Sequence, residues 1–258
     1  MIDRQATASP VGGVTLKAFG QEMPNRLLCL PYAGGSATAY VPWTMPLAQA
    51  GISLIAAQLP GRQDQLHLPT HRTFELLVAD LADQAQRIGA PYAVFGHSFG
   101  ATLAFDLARE LQRRGTRMPV CLIVSGAPAP HCADDSVSEA SSDAELLDHI
   151  QSLDGTPPDV IADAELVEIF LRSLKADTSL LSARLGQGGG QLRGVPAFAY
   201  GGSVDTTVTM DQLRGWLDYG TGGRIRVFTG DHFFPWGSDQ RFWPALLEDL
   251  GSSFRRTG

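Results

Sequence analysis

Short apolar runs alternate with amphipathic stretches along most of this chain. Arg26–Leu30, Ser53–Leu59, Tyr92–Phe95, Val120–Val124, Val195–Tyr200 and Arg224–Phe228 have the length and composition of buried strands, and Val14–Phe19 is a further candidate at the start. Phe74, Leu77, Val78, Leu81, Ala85 and Ile88 recur at helical spacing after Thr73, which is placed to cap that helix. Glu75, Asp80, Asp83 and Arg87 take its opposite face. Ala101–Arg114 and Trp243–Phe254 predict two more helices, and Ser36–Ala50 one that Pro42 and Pro46 interrupt. Asp211 is expected to cap a short helix holding Leu213, Trp216 and Leu217. Strands that alternate with helices predict an α/β fold: a mostly parallel sheet covered on both faces, with ligands at the C-terminal strand ends.

The alternation stops over residues 131–190, which predict a helical insertion within a single domain spanning 1–258. His131–Ser142 is polar, and Ala144–Leu153 and Ala162–Leu185 predict helices separated by Gly155-Thr156-Pro157-Pro158. Leu166, Val167, Phe170, Leu171 and Leu174 put apolar side chains on more than one face of the second helix. Such a helix either lines a channel, as a lid would, or is buried on two sides.

The composition narrows the class. The 258 residues suffice for one large α/β core. A net charge of −7 argues against a nucleic-acid partner. No apolar run reaches membrane-spanning length and Met1–Gly13 holds no apolar core of signal-peptide length, so a cytoplasmic protein is expected; a monomer is expected too. Cys29, Cys121 and Cys132 lack metal-ligand spacing and read as reduced packing residues; no metal is expected. Arg109, Arg113, Arg114 and Arg117 gather toward the end of the Ala101–Arg114 helix, where the helix dipole favours cations.

The chemistry centres on Gly96-His97-Ser98-Phe99-Gly100, a G-x-S-x-G run between a strand and a helix. In that context Ser98 is a nucleophile on a sharp turn at a helix N-terminus. It needs a base oriented by a carboxylate, in the chain order serine, acid, histidine. His232, in the loop after the last strand, is the candidate base. Asp205, in the loop after Tyr200, is the candidate acid, with Asp231 and Asp211 as rivals. His97 is expected to be a packing residue. The Phe99 N–H and one from the Tyr32-Ala33 segment are the candidate oxyanion donors.

Five ordered motifs extend the pattern: Pro31-Tyr32-Ala33-Gly34-Gly35-Ser36-Ala37, Leu59-Pro60-Gly61-Arg62, the Ser98 run, Gly201-Gly202-Ser203-Val204-Asp205 and Gly230-Asp231-His232-Phe233-Phe234. Together they resemble the type II thioesterases of polyketide and non-ribosomal peptide biosynthesis. Leu153–Pro158 and Leu174-Lys175-Ala176-Asp177 resemble that family's lid. The resemblance implies a stand-alone α/β-hydrolase with a helical lid. It would clear acyl groups from the phosphopantetheine arms of acyl or peptidyl carrier proteins, with no cofactor of its own. It implies Ser98, Asp205 and His232 as the triad and Ala33 and Phe99 as oxyanion donors. Phe170 and Leu174 are expected to line the acyl channel, and Arg62 to be the cation nearest a docked carrier. Phe99, where the family commonly has Met, and Thr206, where it commonly has Pro, depart from the pattern. A carboxylesterase or acyltransferase on small acyl esters is the alternative reading, since one fold hosts many activities.

Overall fold

The computed structural model describes residues 13–89, 91–132, 145–146, 164–184 and 187–256. Seven strands form one sheet: β1 (Thr15–Phe19), β2 (Asn25–Leu30), β3 (Ile52–Gln58), β4 (Tyr92–His97), β5 (Leu122–Ser125), β6 (Ala197–Gly202) and β7 (Ile225–Phe228). Their spatial order is β1-β3-β2-β4-β5-β6-β7, with β1 antiparallel to β3 and every other neighbour parallel. Each predicted strand is present. Its central residues alternate between the two cores, as the period of two requires. Leu28, Leu30, Val94, Leu122 and Val124 enter one core, and Leu27, Cys29, Ala93, Phe95 and Ile123 enter the other.

The helices cover both faces. On one side lie α2 (Phe74–Ala85) and α3 (Phe99–Arg114), whose apolar side chains belong to the first core. On the other lie α1 (Thr44–Gln49) and α6 (Phe242–Phe254), with the 3-10 turn Ala37–Trp43. That turn carries Pro42 and ends where α1 begins, which is how the expected proline interruption is realised. The Thr73 side chain accepts from Leu76 N–H and so starts α2, as expected.

One local expectation is corrected. Asp211 does not cap the short helix α5 (Met210–Arg214). Thr209 does, accepting from Gln212 N–H while the Gln212 side chain returns to the Thr209 backbone. The arginines at the end of α3 are held by more than its dipole. Arg113 and Arg114 both bond Glu110, Arg114 also reaches Asp83 and Ala79 O, and Arg117 donates to Ile88 O.

Within the insertion, α4 (Ala164–Arg184) matches the second predicted helix. The first, over 144–153, lies outside the described residues except at 145 and 146, as does the Leu153–Pro158 motif. Leu171 and Leu174 of α4 pack with Leu146, and Ala33, Val167 and Phe170 close on the same cluster. Leu166 is exposed, so the apolar positions of α4 split between an inner face and solvent. Its C-terminal end is tied to α3 by Arg184, which forks onto Asp106.

Candidate active site

Strand β4 ends at His97 and α3 begins at Phe99, leaving one residue to turn the chain. Ser98 does so with φ 54° and ψ −120°, a conformation that costs a non-glycine residue about 1–3 kcal/mol. The flanking glycines make the turn possible. A Cβ on Gly96 would lie 2.0 Å from Gly100 O, and one on Gly100 would lie 2.3 Å from Leu30 O and 2.6 Å from Pro31 O. The elbow is therefore pressed against the end of β2, where the Tyr32–Gly35 loop starts. Ser98 N–H donates to Ser125 O at 2.7 Å, which ties the elbow to β5.

The loops after β6 and β7 are zipped together. Ser203 N–H donates to Phe228 O and Val204 N–H to Gly230 O, and a Cβ on Gly202 would lie 2.1 Å from Asp231 O. This close passage brings His232 Nδ1 to 2.9 Å from Asp205 Oδ2, with the two side chains 6% and 1% exposed. Asp205 Oδ1 accepts from Thr207 N–H at 2.8 Å and from the Thr207 hydroxyl at 2.7 Å. Burial would raise the Asp205 carboxyl, but the bonds from His232 and Thr207 outweigh it and hold the group below its ordinary value. An ionised Asp205 takes the Nδ1 proton of His232 as donor, leaving Nε2 free to accept one.

The structure thus joins Asp205 to His232 directly. Ser98 adjoins His97, whose ring centroid lies 4.9 Å from that of His232. Both rings lean over Gly126, just past β5, where a Cβ would meet His97 Cε1 at 2.7 Å and His232 Cε1 at 3.2 Å. Among the described residues the Ser98 hydroxyl makes no hydrogen bond, which leaves it available. Such contacts commonly tighten only when substrate binds.

The rivals are otherwise engaged. Asp231 Oδ1 accepts from Phe233 N–H at 2.8 Å. Asp211 pairs with Arg214, and of the other histidines His71 bonds Asp80 and His131 the Tyr219 hydroxyl. His97 Nδ1 meets Ser125 Oγ at 3.0 Å, but both residues are wholly buried, so Ser125 cannot meet a substrate. Burial, aided by His232, pushes the His97 imidazole well below its ordinary value and keeps it neutral. His97 is a packing residue, as expected.

Near the elbow, Gly35 N–H donates to Tyr32 O at 2.8 Å and Gly34 N–H to Asp177 Oδ2 at 2.8 Å. The N–H groups of Ala33 and Phe99 have no acceptor among the described residues. That of Phe99 sits in the first turn of α3, at the positive end of the helix. The Phe99 ring is buried edge-on against Phe74, 6.0 Å between centroids, and belongs to the core between α2 and α3. Tyr32, Phe233 and Trp236 form an aromatic wall beside the same loop, with Tyr32 4.9 Å and 5.4 Å from the other two. Arg62, expected as a carrier-facing cation, is instead buried and paired with Asp177. A groove of about 580 Å³ lined by Phe19, Arg26 and Arg87 lies near the other ends of the strands.

Among the described residues no three His, Cys, Asp or Glu side chains gather as a metal site would require, and no helix is long and apolar enough to cross a membrane. Sequence reasoning missed Thr207, whose hydroxyl stands 2.9 Å from His232 Nδ1. Two residues past a candidate acid, a threonine carries no pattern of its own.

A family model described as the thioesterase domain matches residues 25–254. The chain is 34% identical over 229 residues to the gramicidin S biosynthesis protein GrsT of Aneurinibacillus migulanus, covering 87% of this chain and 88% of that one. Among solved structures it is similar to RedJ, the thioesterase of the prodiginine pathway of Streptomyces coelicolor. That match has a TM-score of 0.80 and 34% identity over 90% of this chain and 91% of the other. It is also similar to YbtT, a type II thioesterase of the yersiniabactin NRPS/PKS pathway, with a TM-score of 0.79 and 29% identity over 93% and 99% of the two chains.

Proposed function

This chain belongs to the thioesterase family, and from that premise we propose that it is a serine thioester hydrolase that clears acyl groups from carrier proteins of polyketide or non-ribosomal peptide assembly. The observation that carries the reading is a strained Ser98 at the C-terminal end of β4 together with a His232 bonded to Asp205 in the loops that follow β7 and β6. Family membership supplies the thioester.

Ser98 Oγ attacks the thioester carbonyl carbon while His232 Nε2 takes its proton. Asp205 fixes the imidazole tautomer and stabilises the imidazolium. The carbonyl electron pair moves to oxygen, and the N–H groups of Ala33 and Phe99 receive it; one such donor is worth about 3 kcal/mol in the transition state. Collapse expels the pantetheine thiolate, which takes the proton from His232. Water then attacks the acyl-enzyme with His232 again as base, releasing a carboxylic acid and free Ser98. The phosphopantetheine arm arrives with the substrate, so no resident cofactor is needed. Phe170, partly buried beside Ala33 and backed by the buried Leu174, supplies apolar surface for the acyl chain.

A fluorophosphonate probe should label the protein once, and Ser98→Ala should abolish both labelling and hydrolysis. Purified protein should also be assayed on matched acyl-carrier-protein thioesters, acyl-CoAs and oxygen esters. Preference for the carrier thioester is expected. Faster turnover of oxygen esters would favour the carboxylesterase reading.

A further inference from the structure

Arg62 ends the Leu59-Pro60-Gly61-Arg62 turn, and its side chain is 5% exposed against 3% for Asp177 of α4. The guanidinium forks onto the carboxylate, with Nη1 2.8 Å from Asp177 Oδ2 and Nη2 2.9 Å from Asp177 Oδ1. Nη1 also donates to Gly35 O at 2.8 Å, while Asp177 Oδ2 accepts from Gly34 N–H at 2.8 Å. Adjacent residues of one loop are thus gripped by opposite charges, a carbonyl by the cation and an amide by the anion.

The same face of α4 makes two more contacts with this region. Ser173 Oγ donates to Gly61 O at 3.0 Å. The Phe170 ring covers Gly34, whose φ is +73° and whose Cβ, if present, would lie 2.7 Å from Phe170 Cε2. Phe170, Ser173 and Asp177 fall at helical spacing, so one stripe of α4 is given over to the loop and the turn beside it.

A buried ion pair is a poor device for stability alone, because desolvation offsets much of its attraction. It is a good device for fixing geometry, since a fork onto a carboxylate tolerates little rotation. Ala33 immediately precedes the gripped residues. We propose that Arg62 and Asp177 are positioning residues that hold the Ala33 N–H in line for the oxyanion, so that the oxyanion hole is complete only while α4 is seated. This rests on the assignment of Ala33 and Ser98 above. It makes α4 a part of the catalytic apparatus as well as a wall of the acyl site.

The test uses the full chain, an acyl-N-acetylcysteamine thioester as substrate, and an alkyl trifluoromethyl ketone whose adduct with serine carries an oxyanion. Asp177→Asn and Arg62→Lys should each lower kcat by about 10- to 100-fold with KM within about twofold. Inhibition by the ketone should weaken by the same factor as kcat. In the double variant Arg62→Met/Asp177→Leu, apolar packing replaces the pair, so the Tm should recover while kcat and ketone affinity stay low. Wild-type kcat and ketone affinity in the single variants would overturn the proposal, as would full recovery of activity in the double variant. Ser98→Ala separates the two readings. Hydrolysis that survives it removes the nucleophile assignment. A Ser98-dependent enzyme unaffected by Asp177→Asn removes only the positioning role.

Discussion

The hydroxyl of Thr207 stands 2.9 Å from Nδ1 of His232 while it donates to Asp205 Oδ1 at 2.7 Å. One side chain therefore touches both members of the acid–base pair. Its proton is committed to the carboxylate, so an oxygen lone pair faces the imidazole N–H. Thr207→Val keeps the shape and removes the hydroxyl. A hydrogen bond to a charged group is worth about 1.5–3 kcal/mol, so kcat should fall by at least about tenfold. Thr207→Ser should restore most of it. A valine variant with wild-type kcat would show that Asp205 orients His232 unaided.

The two candidate carboxylates are separable. Asp205→Asn leaves the shape but favours the wrong imidazole tautomer, and kcat should fall by about four orders of magnitude. Asp231→Asn keeps an oxygen that can accept from the Phe233 N–H, losing only its charge, and should cost less than about tenfold in kcat. Steady-state kinetics of the pair decides the matter, and the reverse ranking would move the acid to Asp231.

His97 should leave a mark on stability against pH. Its folded value is pushed well below the ordinary 6.5 by burial and by His232, so below 6.5 the unfolded chain binds a proton that the folded protein refuses. The contribution is complete above pH 6.5 and declines as pH falls toward the folded value, at up to about 1.4 kcal/mol per pH unit. His97→Asn keeps a partner for Ser125 and removes the titration. Urea midpoints between pH 5 and 7 should fall more steeply in the wild type than in the variant. Parallel curves would contradict a neutral His97.

Phe170 and Leu174 face Ala33 in one small apolar cluster. Phe170→Ala and Leu174→Ala should shift preference toward longer or bulkier acyl chains, measured as kcat/KM across a chain-length series. The loss in stability should be about 2–5 kcal/mol for each. Unchanged preference in both variants would make α4 core packing only.

Much of this was legible because it rests on local pattern. The strands declare themselves as apolar runs, and G-x-S-x-G between a strand and a helix marks Ser98 without knowledge of any contact. Asp205 and His232 follow from chain order and from loops at strand ends. What was not legible depends on pairings across long separations. Arg62 in a Pro-Gly-Arg turn resembles any solvated cation, and only folding delivers Asp177 to it from 115 residues away. Thr207 matters because two loops cross at Gly202, a fact with no sequence period. The cap at Thr209 is different: the Thr209-x-x-Gln212 spacing of a capping box does stand in the sequence, but Asp211 within it is an equally good capping type.

The insertion leaves the sheet after β5 and returns at β6, two strands whose register is already set by their own pairing, Leu122 opposite Ala197 and Ser125 opposite Tyr200. Such a segment looks interchangeable, a module that could be traded between homologues to alter acyl preference. The Arg62–Asp177 pair limits that freedom. A grafted insertion that arrives without a carboxylate at this position would strand a guanidinium in the interior beside Gly35. The transferable unit is therefore the insertion together with the Leu59–Arg62 turn, and chimaeras that respect this joint boundary should tolerate exchange better than those cut at the strand ends.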